Sequence, residues 1–129
     1  LEQAIAEFRS AVKMNPEAVT AHQGLAETLL DKGDHESAAK EYMEVTRLDP
    51  NDAESHFRLG AYYESRDTKG VVGFVYNSKT ERLVAPKNWK PSPELKKAFE
   101  EYKKAHELAL ENAIYKAAYE RLAQRMNQR

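Results

Sequence analysis

VTAHQGLAETLLDKGDHESAAKEYMEVTRLDP, running from Val19 to Pro50, is the stretch against which the rest of the chain can be aligned. Its closing LDP echoes the MNP that ends at Pro16, and the two prolines stand 34 positions apart. On that spacing Ala4 falls over Ala38, Phe8 over Tyr42 and Ala11 over Val45. Going forward, His22 falls on His56, Leu25 on Leu59, Ala26 on Gly60 and Leu29 on Tyr63. Small and large residues held in register at one period indicate stacked helical repeats.

The apolar positions of Leu1 to Lys13 (Leu1, Ala4, Ile5, Phe8, Ala11, Val12) recur at i, i+3, i+4 and i+7, the stripe of an amphipathic helix. A second helix is expected after Asn15-Pro16, with Pro16 in its first turn, and its stripe is Ala18, Ala21, His22, Leu25, Ala26 and Leu29. Gly33 can take the left-handed conformation that ends it, and Asp34 can cap a third helix carrying Ala38, Tyr42, Val45 and Leu48. Asn51 and Glu54 have the spacing of a capping box for a fourth helix through about Ser65.

These residues resemble the tetratricopeptide repeat, in which each unit is a helix pair with small residues at the crossings and a proline at the closing turn. The middle unit carries the resemblance at Leu25, Ala26, Gly33, Ala38, Tyr42 and Pro50, and the next at Leu59, Gly60 and Tyr63. It departs at His22 in place of an aromatic residue, Leu29 in place of Tyr and Val45 in place of Ala. The resemblance implies an all-α, right-handed superhelical solenoid of antiparallel helix pairs. One helix pair cannot bury its own stripe, so neighbours must stack on it. Residues 1–16 supply only the second helix of a unit. The chain therefore reads as a fragment of a longer array, with room upstream for further repeats, a packing partner or a targeting segment.

After Ser65 the register fails and returns only at Glu94, where Leu95, Ala98, Tyr102 and Ala105 resume the second-helix pattern. An insertion of roughly 26 residues splits the third repeat, longer than a structureless loop usually is. Val71 to Tyr76 and Arg82 to Val84 are rich in β-branched and aromatic residues, with Asn77-Ser78-Lys79-Thr80 between them, and predict a short β-hairpin. Ser92-Pro93-Glu94 is a helix start. In the tail the apolar phase shifts from the Leu95–Ala105 stripe to Ile114, Ala118, Leu122 and Met126. That shift predicts a bend near Glu111-Asn112 and a final capping helix, one long helix being the alternative. The organisation expected is one domain over 1–129: a truncated repeat at 1–16, a complete one at 17–50, a split one at 51–110 with the insertion at 66–93, and a cap at 111–129.

Charge is nearly balanced, at −1 over 129 residues, so no overall field favours nucleic acid or anionic membrane. No apolar run approaches the ~18 residues of a membrane span. The lack of cysteine removes disulfides and thiol chemistry. His22, His35, His56 and His106 fall in no metal-binding spacing, and no phosphate-loop or nucleophile motif occurs. His22 and His56 share a packing position of the repeat and are read as packing residues. The expectation is a non-enzymatic cytoplasmic module with no cofactor and no metal.

What the resemblance implies about binding is an inner face, lined by the first helix of each pair, that takes a partner peptide or protein segment. Transferred by position, that face is Thr20, Gln23, Glu27 and Leu30, then Glu54, Phe57, Arg58, Ala61 and Glu64. Its glutamates favour a basic or apolar ligand over an acidic one. Phe57 has two readings: a groove residue, or packing on the adjacent helix. Some family members clamp a chaperone's C-terminal carboxylate with Lys and Asn. Gln23, Glu27 and Arg58 at the matching positions offer one cation and a carboxylate, which is not that clamp. The insertion is the second candidate surface, through Phe74, Tyr76, Arg82 and Trp89, for docking or self-association. Exposed repeat ends are another route to a homo-oligomer. Arg66, Lys69, Lys79, Arg82, Lys87 and Lys90 interleaved with aromatics compose a nucleic-acid surface as the alternative reading. A regulatory domain of a larger enzyme is the other alternative.

Overall fold

A computed structural model describes residues 1–67 and 75–127. Among the described residues six helices follow one another: α1 (Glu2–Met14), α2 (Val19–Lys32), α3 (His35–Leu48), α4 (Ala53–Arg66), α5 (Pro93–Leu108) and α6 (Ala113–Met126). Each packs on the next in the chain, the arrangement of a solenoid in which every element meets its sequence neighbours. Between α4 and α5 lie β1 (Val75–Asn77) and β2 (Arg82–Val84), an antiparallel hairpin pairing Val75 with Val84, Tyr76 with Leu83 and Asn77 with Arg82. The expected first strand also included residues 71–74, which lie outside the described residues.

The helix ends follow their local chemistry. Gly33 closes α2 at φ 90°, a left-handed conformation that costs glycine little. The Asp34 carboxylate accepts the Ser37 amide, Ser92 Oγ accepts the Leu95 amide with Pro93 in the first turn, and Asn112 Oδ1 accepts the Ile114 and Tyr115 amides. The last cap breaks the tail into two helices at Ala109–Asn112, so the phase shift marks a real turn.

Two expectations at helix starts are corrected. The capping box at Asn51 and Glu54 does not form. Asp52 is the N-cap of α4, and its carboxylate is instead taken up by Ser55 Oγ and by Gln23 Nε2 at 3.3 Å. Pro16 lies in the turn before α2 rather than in its first turn, and Ala18 is the N-cap. In both turns the proline carbonyl is held by a histidine, which the local sequence pattern does not announce.

Two apolar clusters form the interior. The first gathers Ile5, Leu25, Ala26, Leu29, Ala38, Ala39, Tyr42 and Leu59 from α1 to α4. The second gathers Leu95, Ala98, Tyr102, Ala118 and Leu122 from α5 and α6. Tyr63 touches both and joins them into one continuous core. Aromatic rings at the crossings lie directly on glycine: a Cβ on Gly24 would sit 2.4 Å from the Phe8 ring, and one on Gly60 would sit 2.6 Å from the Tyr102 ring. Backbone approach this close is why those sites carry no side chain.

The feet of the insertion are tied together. The Asp67 carboxylate, only 3% exposed, accepts Ser92 Oγ at 2.7 Å and faces Arg125 Nη2 at 3.6 Å. The end of α4, the cap of α5 and the last turn of α6 thus meet on one carboxylate. Trp89 folds back onto the second cluster, while Val75, Tyr76 and Val84 of the hairpin are exposed.

Candidate functional site

Successive helices enclose a groove of about 420 Å³ with walls from three elements. Leu30 comes from α2, His35, Ala39 and Tyr42 from α3, and Arg58, Ala61 and Tyr62 from α4. Beside it lies a smaller polar recess of about 100 Å³ formed by Gln23, Glu27, Asp52, Glu54 and Ser55. Tyr42 lines both. The larger space is apolar with a guanidinium at its edge, and the smaller carries three carboxylates.

Tyr42 is the notable residue. The side chain is 3% exposed, yet its hydroxyl has no hydrogen-bond partner among the described residues. Burial pushes its pKa up to about 12, with Arg58 opposing and Glu27, Glu54 and Asp52 adding to the rise. The phenol therefore stays protonated, able both to donate and to accept. A partner that reaches such a group stabilises it by about 1–3 kcal/mol.

The sequence candidates distribute unevenly. Leu30, Arg58 and Ala61 line the groove; Gln23, Glu27 and Glu54 line the recess. Phe57 is half-buried, its ring 4.8 Å from Tyr115 and 5.6 Å from Tyr102, so it packs against α5 and α6. Glu64 is held by Arg121 through two contacts of 2.9 and 3.0 Å. Thr20 is exposed away from both spaces. Of the insertion candidates, Tyr76 and Arg82 are exposed, Trp89 is partly covered, and Phe74 lies outside the described residues. Sequence reasoning placed Tyr42 in the core alone and missed Asp52, Ser55, His35, Ala39 and Tyr62. Residues that border a groove from the second helix of a unit are not distinguished from core by helical period.

A second polar feature recurs along the chain. His22 Nδ1 donates to Glu41 at 2.6 Å and Nε2 to the Pro16 carbonyl at 2.8 Å. His56 does the same with Glu101 at 2.6 Å and the Pro50 carbonyl at 2.8 Å. A carbonyl and an ionised carboxylate only accept, so the geometry suits an imidazole protonated on both nitrogens. For His56 the Glu101 hydrogen bond raises the pKa against burial, with the Pro50 carbonyl adding and Lys104 opposing. For His22 burial pulls the other way and is outweighed by Glu41, the Pro16 carbonyl and Glu44. The packing role read from the sequence is met in part, since both rings are buried, but they are also ionic ties. The signal was present: Pro, His and Glu recur together once the insertion is removed from the count.

Among the described residues no group of His, Asp and Glu is placed to hold a metal ion, and no helix is long and apolar enough to cross a membrane. Residues 1–53 match the family model described as tetratricopeptide repeat, a span that covers α1, α2, α3 and the start of α4. The match covers less than half of the chain, and the helices of the described residues, antiparallel and each packed on the next, are an arrangement consistent with a short solenoid of that type. Helical-repeat folds of this kind serve in general as protein–protein interaction scaffolds and are typically non-catalytic. No curated protein gives a significant match to the chain.

Proposed function

We propose that this chain is an interaction module that takes a segment of another protein in the groove between α2, α3 and α4. The observation that carries the reading is the groove itself: an apolar trough across three rigid helices, with an unsatisfied tyrosine hydroxyl at its floor. A site made from helix faces is pre-organised, so little ordering entropy opposes binding. The groove residues proposed to touch the partner are Leu30, Arg58 and Ala61, with Gln23, Glu27 and Glu54 beside them. Phe57 and Glu64, engaged by α5 and α6, would act by holding that wall in place.

The test is a titration of a captured partner with the protein and with Arg58→Glu. Arg58 is exposed, so the variant should keep its helicity and unfolding temperature. Binding weakened severalfold supports the groove; unchanged affinity with unchanged fold rejects it. A second docking element is supported by Val75, Tyr76 and Val84, which leave an apolar strip exposed on the hairpin.

A further inference from the structure

The chain holds an internal comparison for the unpartnered Tyr42. Tyr102 lies at the equivalent position of the next unit, 60 residues on because of the insertion. Tyr102 is equally buried, and Arg121 and Glu64 both act on its hydroxyl. Arg121, from α6, pairs with Glu64 at 2.9 Å. The residue equivalent to Arg121 over Tyr42 is Ala61, again 60 positions earlier. So the second tyrosine has an arginine from the following helix acting on its hydroxyl. The first has a methyl group there, and the space that a guanidinium would fill is the groove.

The charges around that space fit the missing group. Glu27, Asp52 and Glu54 line the recess with Tyr42, and Arg58 lines the groove beside it. Arg58 is turned to Glu54 at 3.4 Å, and Asp52 is occupied by Ser55 and Gln23. Glu27 makes no ion pair among the described residues. Beyond the recess, Leu30, Ala39 and Tyr62 present apolar surface.

We infer that the groove accepts an arginine side chain of a partner segment, set beside Tyr42 as Arg121 is beside Tyr102, with Glu27 of the recess as its carboxylate since Leu30 stands where the next unit has Glu64, and with a neighbouring apolar side chain of that segment on Leu30, Ala39 and Tyr62. This rests on the groove being the partner site. It adds the partner's chemistry. The guanidinium donates to the phenol oxygen and to the carboxylates, so its planar fork is used on both sides, which an ammonium does less well.

The experiment is selection from a phage-displayed library of random peptides on the intact protein, followed by titration of the enriched peptides. The expected result is enrichment of arginine beside an apolar residue. Binding should weaken about tenfold in Tyr42→Phe, the loss of one hydrogen bond to a charged group. It should weaken similarly on replacing the peptide arginine with norleucine. Ala61→Arg, which copies the arrangement at Tyr102, should fill the groove from within and abolish binding while the protein stays folded by circular dichroism. Enriched peptides that lack a basic preference, yet are still blocked by Ala61→Arg, would overturn the arginine inference and leave the groove standing. Peptides unaffected by Ala61→Arg, or no enrichment at all, would overturn both.

Discussion

Replacing His56 with leucine removes a buried ionic tie between α4 and α5, the two helices of the split repeat. The ring is 5% exposed, and Glu101 is 17% exposed in its side chain. The variant leaves the Pro50 carbonyl without its donor and leaves Glu101 with Lys104, at 3.7 Å, as its remaining cation. A hydrogen bond to a charged group contributes about 1.5–3 kcal/mol and a neutral one about 0.5–1.5 kcal/mol. Lys104 and the apolar burial of leucine offset part of that, so the expected loss is about 2–3 kcal/mol. The sign of the pH dependence follows from the raised pKa of the folded ring. The proton is held more tightly in the folded chain, so the contribution is complete below the unfolded histidine value of about 6.5 and fades as pH climbs through the folded value. Urea unfolding followed by circular dichroism, at about pH 6 and about pH 8.5, measures it. The gap between the protein and the variant should be widest at the lower pH. A gap that is constant, or that widens with pH, would mean the ring is neutral and the tie has been misread.

Three further outcomes are expected. Gly60→Ala should lower stability by about 1 kcal/mol in thermal unfolding, because overpacking against Tyr102 at about 1–3 kcal/mol exceeds the helix gain of about 1 kcal/mol; a stabilised variant would contradict the close approach. Asp67→Ala should cost about 3–5 kcal/mol, since it strands the largely buried Arg125 and frees Ser92; a loss below about 1 kcal/mol would show that the insertion is not anchored there. Deleting residues 70–86 should lower the mass seen by light scattering if the exposed hairpin strip joins two copies, and an unchanged mass would remove that role.

The repeat was legible because its cause is local and periodic. Ala26 and Gly60 one period apart, with Ala38, Tyr42 and Leu29 between them, state which helix faces must meet. Gly33, Asp34, Ser92 and Asn112 state where helices stop and start. The site was only half legible. Leu30, Arg58 and Ala61 could be transferred by position, because first helices line the inner face. Tyr42 could not, because a tyrosine on a core stripe looks the same whether its hydroxyl is satisfied or stranded. That difference depends on Ala61 standing where the next unit has Arg121, a comparison that needs both partners in space. Phe57 shows the opposite limit: transferred to the inner face by position, its ring packs on Tyr102 and Tyr115 from helices beyond the insertion. The histidine ties were missed because the recurrence of Pro, His and Glu comes into register only when the insertion is removed from the count.

The central claim is that the groove over Tyr42 is where a partner sits, and site-specific photo-crosslinking in the native cell tests it most directly. A photoreactive phenylalanine analogue at Ala61, in the groove, is compared with the same residue at Lys40, which is exposed on α3. A discrete crosslinked partner at Ala61, absent at Lys40 and competed away by an excess of a groove-selected peptide, is the predicted result. Equal crosslinking at both positions, or crosslinking at Lys40 alone, would contradict it.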